Sequence, residues 1–435
     1  MAQFRKQAER RLRILATLTT PSEQPVSNTS LAAGHHSDDK AAERTALAIL
    51  VAISFCHMVN DTTQSLLLSI YPMLKDSYAL DFSQIGIITL TFQVTASLLQ
   101  PVIGMYTDRH PQPYALAVGM ASTLLGLLLL SNATSYPMLL VASAMIGTGS
   151  SVFHPEASRV ARLASGGRHG LAQSLFQVGG NIGSAIGPLA AAYIVLPRGQ
   201  GAVAWFSIVA LIAILVLVRV GVWYGAHLVA RADQGQRRVS LNPLSRRQVG
   251  VALAVLLGLI FSKFFYTASL SSYYTFYMIE HFGVSVQRAQ IYLFIYLAAF
   301  SLGTLAGGPI GDRIGRKKVI WFSILGALPF TLLLPHVNEV WVVLLTIPIG
   351  LILSSAFSAI VVYAQELMPG RVGMVAGLFF GLAFGMGGIG AAVLGELADL
   401  TSVELVFQLC AFLPAIGLVA WLLPNLEASS ARSKA

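Results

Sequence analysis

Twelve apolar runs, each long enough to cross a bilayer and separated by short polar connections, decide what this chain can become. Inside hydrocarbon no water satisfies backbone N–H and C=O groups, so a run of about twenty apolar residues has to close its hydrogen bonds within itself as a helix. The runs lie at roughly 46 to 74, 82 to 107, 113 to 132, 136 to 158, 169 to 195, 202 to 226, 248 to 280, 288 to 311, 317 to 335, 340 to 366, 372 to 398 and 403 to 423. Only 11% of residues are charged, against about 25% in a soluble domain. The expectation is an all-α, polytopic membrane protein whose loops leave no room for a separate soluble catalytic domain.

The net charge of +9 suggests a nucleic-acid partner until its distribution is considered. With the N-terminus placed in the cytoplasm, 23 of the 28 Lys and Arg residues fall on cytoplasmic segments, while the opposite loops hold Lys75, Arg198 and Arg288. That asymmetry is the positive-inside rule, and it predicts both termini in the cytoplasm and no nucleic-acid binding. Residues 1–45 read as a basic, mostly disordered tail with no cleavable signal peptide. The polar stretch 228–247 reads as a linker between six-helix bundles at 46–227 and 248–424, followed by a short tail at 425–435. Cys56 and Cys410 both lie within apolar spans, as packing residues rather than a disulfide or metal pair.

The chain repeats itself. Gly104-Met-Tyr-Thr-Asp108-Arg109 matches the G-x-x-x-D-R spacing of Gly308 to Arg313, and the two aspartates are 204 residues apart. Gly170-Leu-Ala-Gln-Ser-Leu-Phe176 matches Gly373-Met-Val-Ala-Gly-Leu-Phe379 at an offset of 203, as does Phe82-Ser83-Gln84 with Val286-Gln287. Six spans per half is an even number, so the halves share one orientation and form parallel repeats about an axis along the membrane normal. The major facilitator superfamily is the standing example of that arrangement, with substrate bound near the midplane between halves.

The loop Gly308-x-x-x-Asp312-Arg313-x-Gly315-Arg316-Lys317 resembles motif A of that superfamily. His57-Met-Val-Asn-Asp61, Gly149-Ser-Ser-Val-Phe-His-Pro-Glu-Ala-Ser-Arg159 and Ala364-Gln-Glu-Leu-Met-Pro-Gly-Arg371 are similar to stretches of the fosmidomycin resistance proteins, bacterial inner-membrane exporters of a small phosphonate hydroxamate antibiotic. Gly179-Gly180-Asn181-Ile-Gly183-Ser-Ala-Ile-Gly187-Pro188 resembles the antiporter motif C, which implies export. A closely packed glycine-rich helix accounts for those glycines equally well. The antiporter motif B is incomplete, because its arginine position, four residues before Gly147, is Ser143. Proton coupling therefore has to run through other groups.

Three polar residues of span 1, His57, Asn60 and Asp61, sit at i, i+3 and i+4, on one helix face. A carboxylate this deep is expensive unless it is protonated, paired or facing water, the conditions a carrier of exchangeable protons needs. Asp61 is the first candidate for proton coupling, with His57 and Glu156 beside it; a structural partnership with Asn or His is the plainer alternative. Asp108, Arg109, Asp312, Arg313 and Arg316 are candidate gate residues at the ends of spans 2 and 8, where a carboxylate can meet a helix N-terminus or an arginine. The first loop ends in His110-Pro111 without the later Gly-Arg-Lys run, which argues against a fully symmetric clamp. Glu156 and Arg159, one turn apart, are expected to pair, with Glu366 and Arg371 as their counterparts.

For the substrate, Lys263 in span 7 needs an anion, either a phosphonate or Asp61 or Glu156 when the site is empty. Tyr266, Tyr273 and Tyr277, spaced by 7 and 4 residues, form one stripe of hydroxyl donors or of packing rings. Gln64, Gln93, Gln177, Asn181 and His154 are further candidate lining residues. The expected function is secondary export of a small anionic drug driven by inward proton flow, by a monomer in the bilayer that needs no cofactor beyond the proton gradient. Import or exchange of a phosphorylated or other organic anion is the alternative, since Lys263 does not reveal direction. No H-E-x-x-H, G-x-S-x-G or Cys/His ligand set supports an enzyme or a bound metal.

Overall fold

The computed structural model describes residues 31–80, 82–233 and 244–426. The expectations for the tail over 1–30, the inner linker over 234–243 and the last residues over 427–435 lie outside them. The protein is helical throughout the described residues, and ten helices there are long and apolar enough to cross a membrane. With the 39-residue first helix and one shorter apolar helix of 17 residues they give twelve: α1 Leu31–Ser69, α2 Gln84–Arg109, α3 Ala115–Ser131, α4 Tyr136–Leu163, α5 His169–Arg198 and α6 Gln200–Val229. The second six are α7 Arg246–Phe282, α8 Ile291–Ile314, α9 Arg316–His336, α10 Glu339–Leu367, α11 Val372–Leu400 and α12 Val403–Leu422.

Local chemistry sets where these helices stop and bend. Pro72 lies in the first turn of the short helix Tyr71–Ser77. Lacking an N–H and clashing with the preceding turn, it ends α1 at Ser69, short of the expected 74. Prolines stand inside α4 at Pro155, α5 at Pro188, α8 at Pro309 and α10 at Pro348. π-helical turns interrupt α2 at Val94–Leu98, α5 at Ala191–Val195 and α7 at Ser269–Tyr273. Each such turn inserts one extra residue and rotates everything beyond it, and helices of this kind bend at their π turns.

The repeat is visible as two equivalent helix crossings. At α2–α11, a Cβ on Gly104 would run into the backbone of Gly373; at α5–α8, a Cβ on Gly308 would run into the backbone of Gly170. The two pairs are each other's counterparts at offsets of 204 and 203. Glycine stands on both sides of each contact because only a hydrogen fits between the backbones. Gly104→Val is therefore expected to hold α2 and α11 apart at the end where the Asp108 loop lies. Spin-label distances between these helices at that end should lengthen relative to the parent protein, and unchanged distances would show that the crossing is not tight.

Candidate transport site and gate

The deepest polar cluster is built from α1 and α4. His57 and His154 have no solvent exposure and Asp61 is 5% exposed. His57 Nε2 lies 3.3 Å from Asp61 Oδ2 and 3.3 Å from His154 Nε2, and His154 Nε2 lies 3.6 Å from Asp61 Oδ1. Helical spacing on α1 delivers His57, Asn60 and Asp61 to one face, as the sequence predicts, and α4 brings His154 to meet them. The far side of each ring is anchored: His57 Nδ1 donates to Phe176 O at 2.7 Å and His154 Nδ1 to Ser150 O at 3.0 Å.

Amides hold the carboxylate. Asn60 Nδ2 and Gln64 Nε2 each donate to Asp61 Oδ1 at 3.0 Å, and Gln64 Oε1 accepts from Ser150 Oγ at 3.1 Å. An aromatic shell covers the cluster, with Phe176 stacked on His57 at 4.0 Å between centroids and Phe380 and Phe384 of α11 about 5 Å from the His154 ring. This shell raises the strength of every interaction inside it by excluding water. On the other side Asp61, Gln64, Gln93, Ser65, Ser184 and Phe384 line a cavity of about 260 Å³. Ser65 and Leu68 carry that cavity along α1 away from the Asp108 and Asp312 loops.

At the loop end the two halves are latched across each other. Asp108 accepts from the backbone N–H of Gly373 at 2.9 Å and Met374 at 2.8 Å, and Asp312 accepts from Gly170 and Leu171, both at 2.9 Å. These are amides of the first turns of α11 and α5, which have no partner within their own helices and carry the positive end of the helix dipole. The backbone half of the clamp is thus symmetric. The arginine half is not symmetric. Arg159 of α4 reaches Asp108 at 2.6 Å and Glu156 at 2.7 Å, whereas Asp312 takes Arg316 at 3.0 Å from the following turn. A polar chain adds to the latch between α4 and α10, where Arg162 donates to Gln365 at 3.2 Å and Gln365 to Ser158 at 3.0 Å.

The remaining expected residues are distributed as follows. Arg109 and Arg313 are exposed and make no ion pair among the described residues, because one step along a helix turns a side chain about 100° away from the aspartate before it. Arg371 is exposed as well, and Glu366 pairs with Arg316 at 3.2 Å instead. Glu156 belongs to the Arg159 network rather than to the Asp61 cluster. Asn181 spans α5 to α8, donating to Thr304 at 3.1 Å, and Gln177 presents a buried amide oxygen that finds no partner among the described residues. Lys263, 2% exposed, meets neither Asp61 nor Glu156; its Nζ sits 5.0 to 5.5 Å from the ring centroids of Phe264, Phe300 and Phe357.

The tyrosine stripe is broken. The π turn at Ser269–Tyr273 shifts the register, so Tyr274 joins Tyr266 and Tyr277 in a buried core with Phe407, while Tyr273 crosses to donate to Ala391 O at 2.5 Å. Residues that sequence reading passes over include Ser150, Gln365 and the rings of Phe176 and Phe380. Serine and glutamine inside the quoted motifs, within apolar helices, are the signal for the first two.

A family model described as Major Facilitator Superfamily matches residues 53–283 and 255–435. The chain is 59% identical over 383 residues to the fosmidomycin resistance protein of Escherichia coli (strain K12), covering 88% of this chain and 94% of that one. It is 43% identical to an uncharacterized MFS-type transporter of Bacillus subtilis (strain 168), YfnC, with the same coverage. Among solved structures, the transporter FucP in its outward conformation superposes with a TM-score of 0.67 at 19% identity, covering 88% of this chain and 99% of that one. This last likeness bears on the fold alone.

Proposed function

The chain belongs to the major facilitator superfamily, and we propose that it exports fosmidomycin-like phosphonates or related small anionic drugs by proton-coupled alternating access. The observation that carries this reading is the pairing of a buried His57–Asp61–His154 cluster, whose Asp61 lines the cavity, with a latch shut at the opposite end. In this reading the loops of Asp108 and Asp312 face the cytoplasm, as do both termini, in agreement with the basic charge there. The cavity beside Asp61 then belongs to the outward-facing side. The relation to a fosmidomycin resistance protein supports the cargo and the direction.

Mechanistically, substrate leaves while Asp61, with its histidines behind it, faces the outward cavity. A proton taken up there neutralises the carboxylate and lowers the penalty for enclosing it as the halves rock. Opening at the cytoplasmic end breaks Asp108 from α11 and Asp312 from α5, and release of the proton inward restores the charge. Arg159, Arg316 and Glu366 hold the latch aspartates in place. The test is accumulation of labelled fosmidomycin in inside-out vesicles from a bacterial strain without its own exporters, energised so that the lumen is acid. Gradient-dependent accumulation supports the reading; none under any gradient would sink the drug assignment.

Lys263 supplies an affinity prediction. An ammonium set against three phenyl faces, with no carboxylate partner among the described residues, gains about 2 kcal/mol or more from cation–π attraction and keeps a charge that a substrate anion would pair with. Lys263→Met should raise the apparent KM for fosmidomycin about tenfold, equivalent to about 1.4 kcal/mol, with the thermal midpoint unchanged or higher. An unchanged KM would make the lysine a packing element.

A further inference from the structure

We propose that His57, Asp61 and His154 form a binding site for a single divalent transition-metal ion, with Zn²⁺ the best-fitting member. Their ligand atoms all lie within 4.8 Å of one another, and all three residues are buried. The closest separations carry the argument: 3.3 Å between the two Nε2 atoms, 3.3 Å from His57 Nε2 to Asp61 Oδ2 and 3.6 Å from His154 Nε2 to Asp61 Oδ1. A tetrahedral ion with bonds of about 2.0–2.1 Å requires its ligands to stand about 3.3–3.4 Å apart. The two imidazole nitrogens already stand at that separation, and each meets a different oxygen of the Asp61 carboxylate, so the three residues surround one position. Two imidazoles and one carboxylate are a donor set for Zn²⁺, Co²⁺ or Ni²⁺, and a poor one for Mg²⁺ or Ca²⁺, which take oxygen ligands.

The hydrogen bonding points the same way. In each ring Nδ1 faces a backbone carbonyl, Phe176 O for His57 and Ser150 O for His154. Only an N–H satisfies a carbonyl, so in the neutral rings Nδ1 carries the hydrogen and both Nε2 atoms present lone pairs. Two lone pairs and a carboxylate then converge on one another, an arrangement that repels unless a cation lies among them. Ring N–H groups anchored on carbonyls are the outer support that metal-bound histidines use, and Asn60 and Gln64 give the carboxylate the same kind of support. Asp61 also lines the cavity, which gives an ion its approach.

Gly180 of α5 marks the space itself. A Cβ added there would lie 2.6 Å from His57 Nε2 and 2.7 Å from Asp61 Oδ2, between two of the ligands. Gly180→Ala therefore keeps all three ligand residues in the chain but sets a methyl against two of them, pushing their ligand atoms aside and filling the position a metal would use. An ion held here competes with the proton for the same lone pairs, so it would stop the transporter.

The experiment is metal binding by the purified full-length protein, without substrate or gradient, so its result does not depend on what the chain transports. Equilibrium dialysis against Zn²⁺ is compared between the parent chain, Gly180→Ala and a His57→Gln/His154→Gln variant, each checked for monodisperse elution. His35 and His36 near the start of α1 are present in all three, so the difference between variants counts. The expected result is one more Zn²⁺ per chain in the parent than in either variant, with at least tenfold weaker binding in the variants. Co²⁺ bound to the parent should give the intense visible absorption of a tetrahedral ion, bleached by Zn²⁺. Equal Zn²⁺ content in all three proteins, or Co²⁺ spectra of the weak octahedral type, overturns the site. If both variants elute as aggregates, the Co²⁺ spectrum of the parent alone decides.

Discussion

Asp61→Asn is expected to abolish gradient-driven accumulation of fosmidomycin while leaving the protein folded and able to exchange substrate for substrate. The substitution keeps shape. Its amide oxygen continues to accept from Asn60 and Gln64, and its NH₂ can donate to a histidine Nε2 that now faces a carboxylate. Packing and hydrogen bonds are therefore conserved, and what disappears is a group that can exchange a proton. Loss of coupling of about tenfold or more in the steady-state accumulation ratio corresponds to about 1.4 kcal/mol or more of linkage between proton and substrate. Substrate counterflow measured in the same vesicles without a gradient should stay within about twofold of the parent on that linkage. Accumulation that survives in Asp61→Asn would move the proton site to His57 or Glu156.

The largest stability effect is expected at Arg159. This guanidinium, 7% exposed, neutralises Asp108 and Glu156 and donates to Thr107 O and Oγ1, both at 3.0 Å, and to Gly104 O at 3.3 Å. Arg159→Ala strands two carboxylates in a closed interface, and removing one partner of such a buried network costs about 3–5 kcal/mol. Arg159→Lys should recover only part of it, because a point charge does not fork between two carboxylates. Arg316→Ala, whose side chain is 14% exposed, should cost clearly less, about 1 kcal/mol, since water compensates a partly solvated pair. Thermal unfolding in detergent separates the two. Equal shifts would mean that the latch does not depend on the enclosed arginine.

The architecture was legible because its signals are local and repeated. Span lengths, the two Asp-bearing loops and the 203–204 offset are properties of the chain itself, and they describe the two crossings seen in three dimensions. His57, Asn60 and Asp61 were legible for the same reason, since helical spacing alone places them together. Tertiary partnership was not legible. Nothing in the spacing says that His154, 97 positions beyond His57, closes on it, so no metal-ligand pattern appears in the sequence.

Two differences between spacing and structure share one physical cause, the rotation of side chains about a helix. Arg109 and Arg313 follow their aspartates directly and so point elsewhere, and the π turn of α7 rotates Tyr273 out of the line that its numbering implies. The surroundings of Lys263 differ for another reason. Charge complementarity suggested Asp61 or Glu156, but the folded helices surround it with phenyl rings instead.

Neither latch aspartate caps a helix of its own half: Asp108 serves α11 and Asp312 serves α5. A six-helix piece produced alone would keep a carboxylate with no amides to receive it and a helix start with no carboxylate to cap it. Each piece is complete only in the presence of its complement. Two halves made as separate chains, cut between Asp233 and Leu244, carry matching recognition elements at their loops, so they have the means to find each other in the membrane and to choose the correct face when they do.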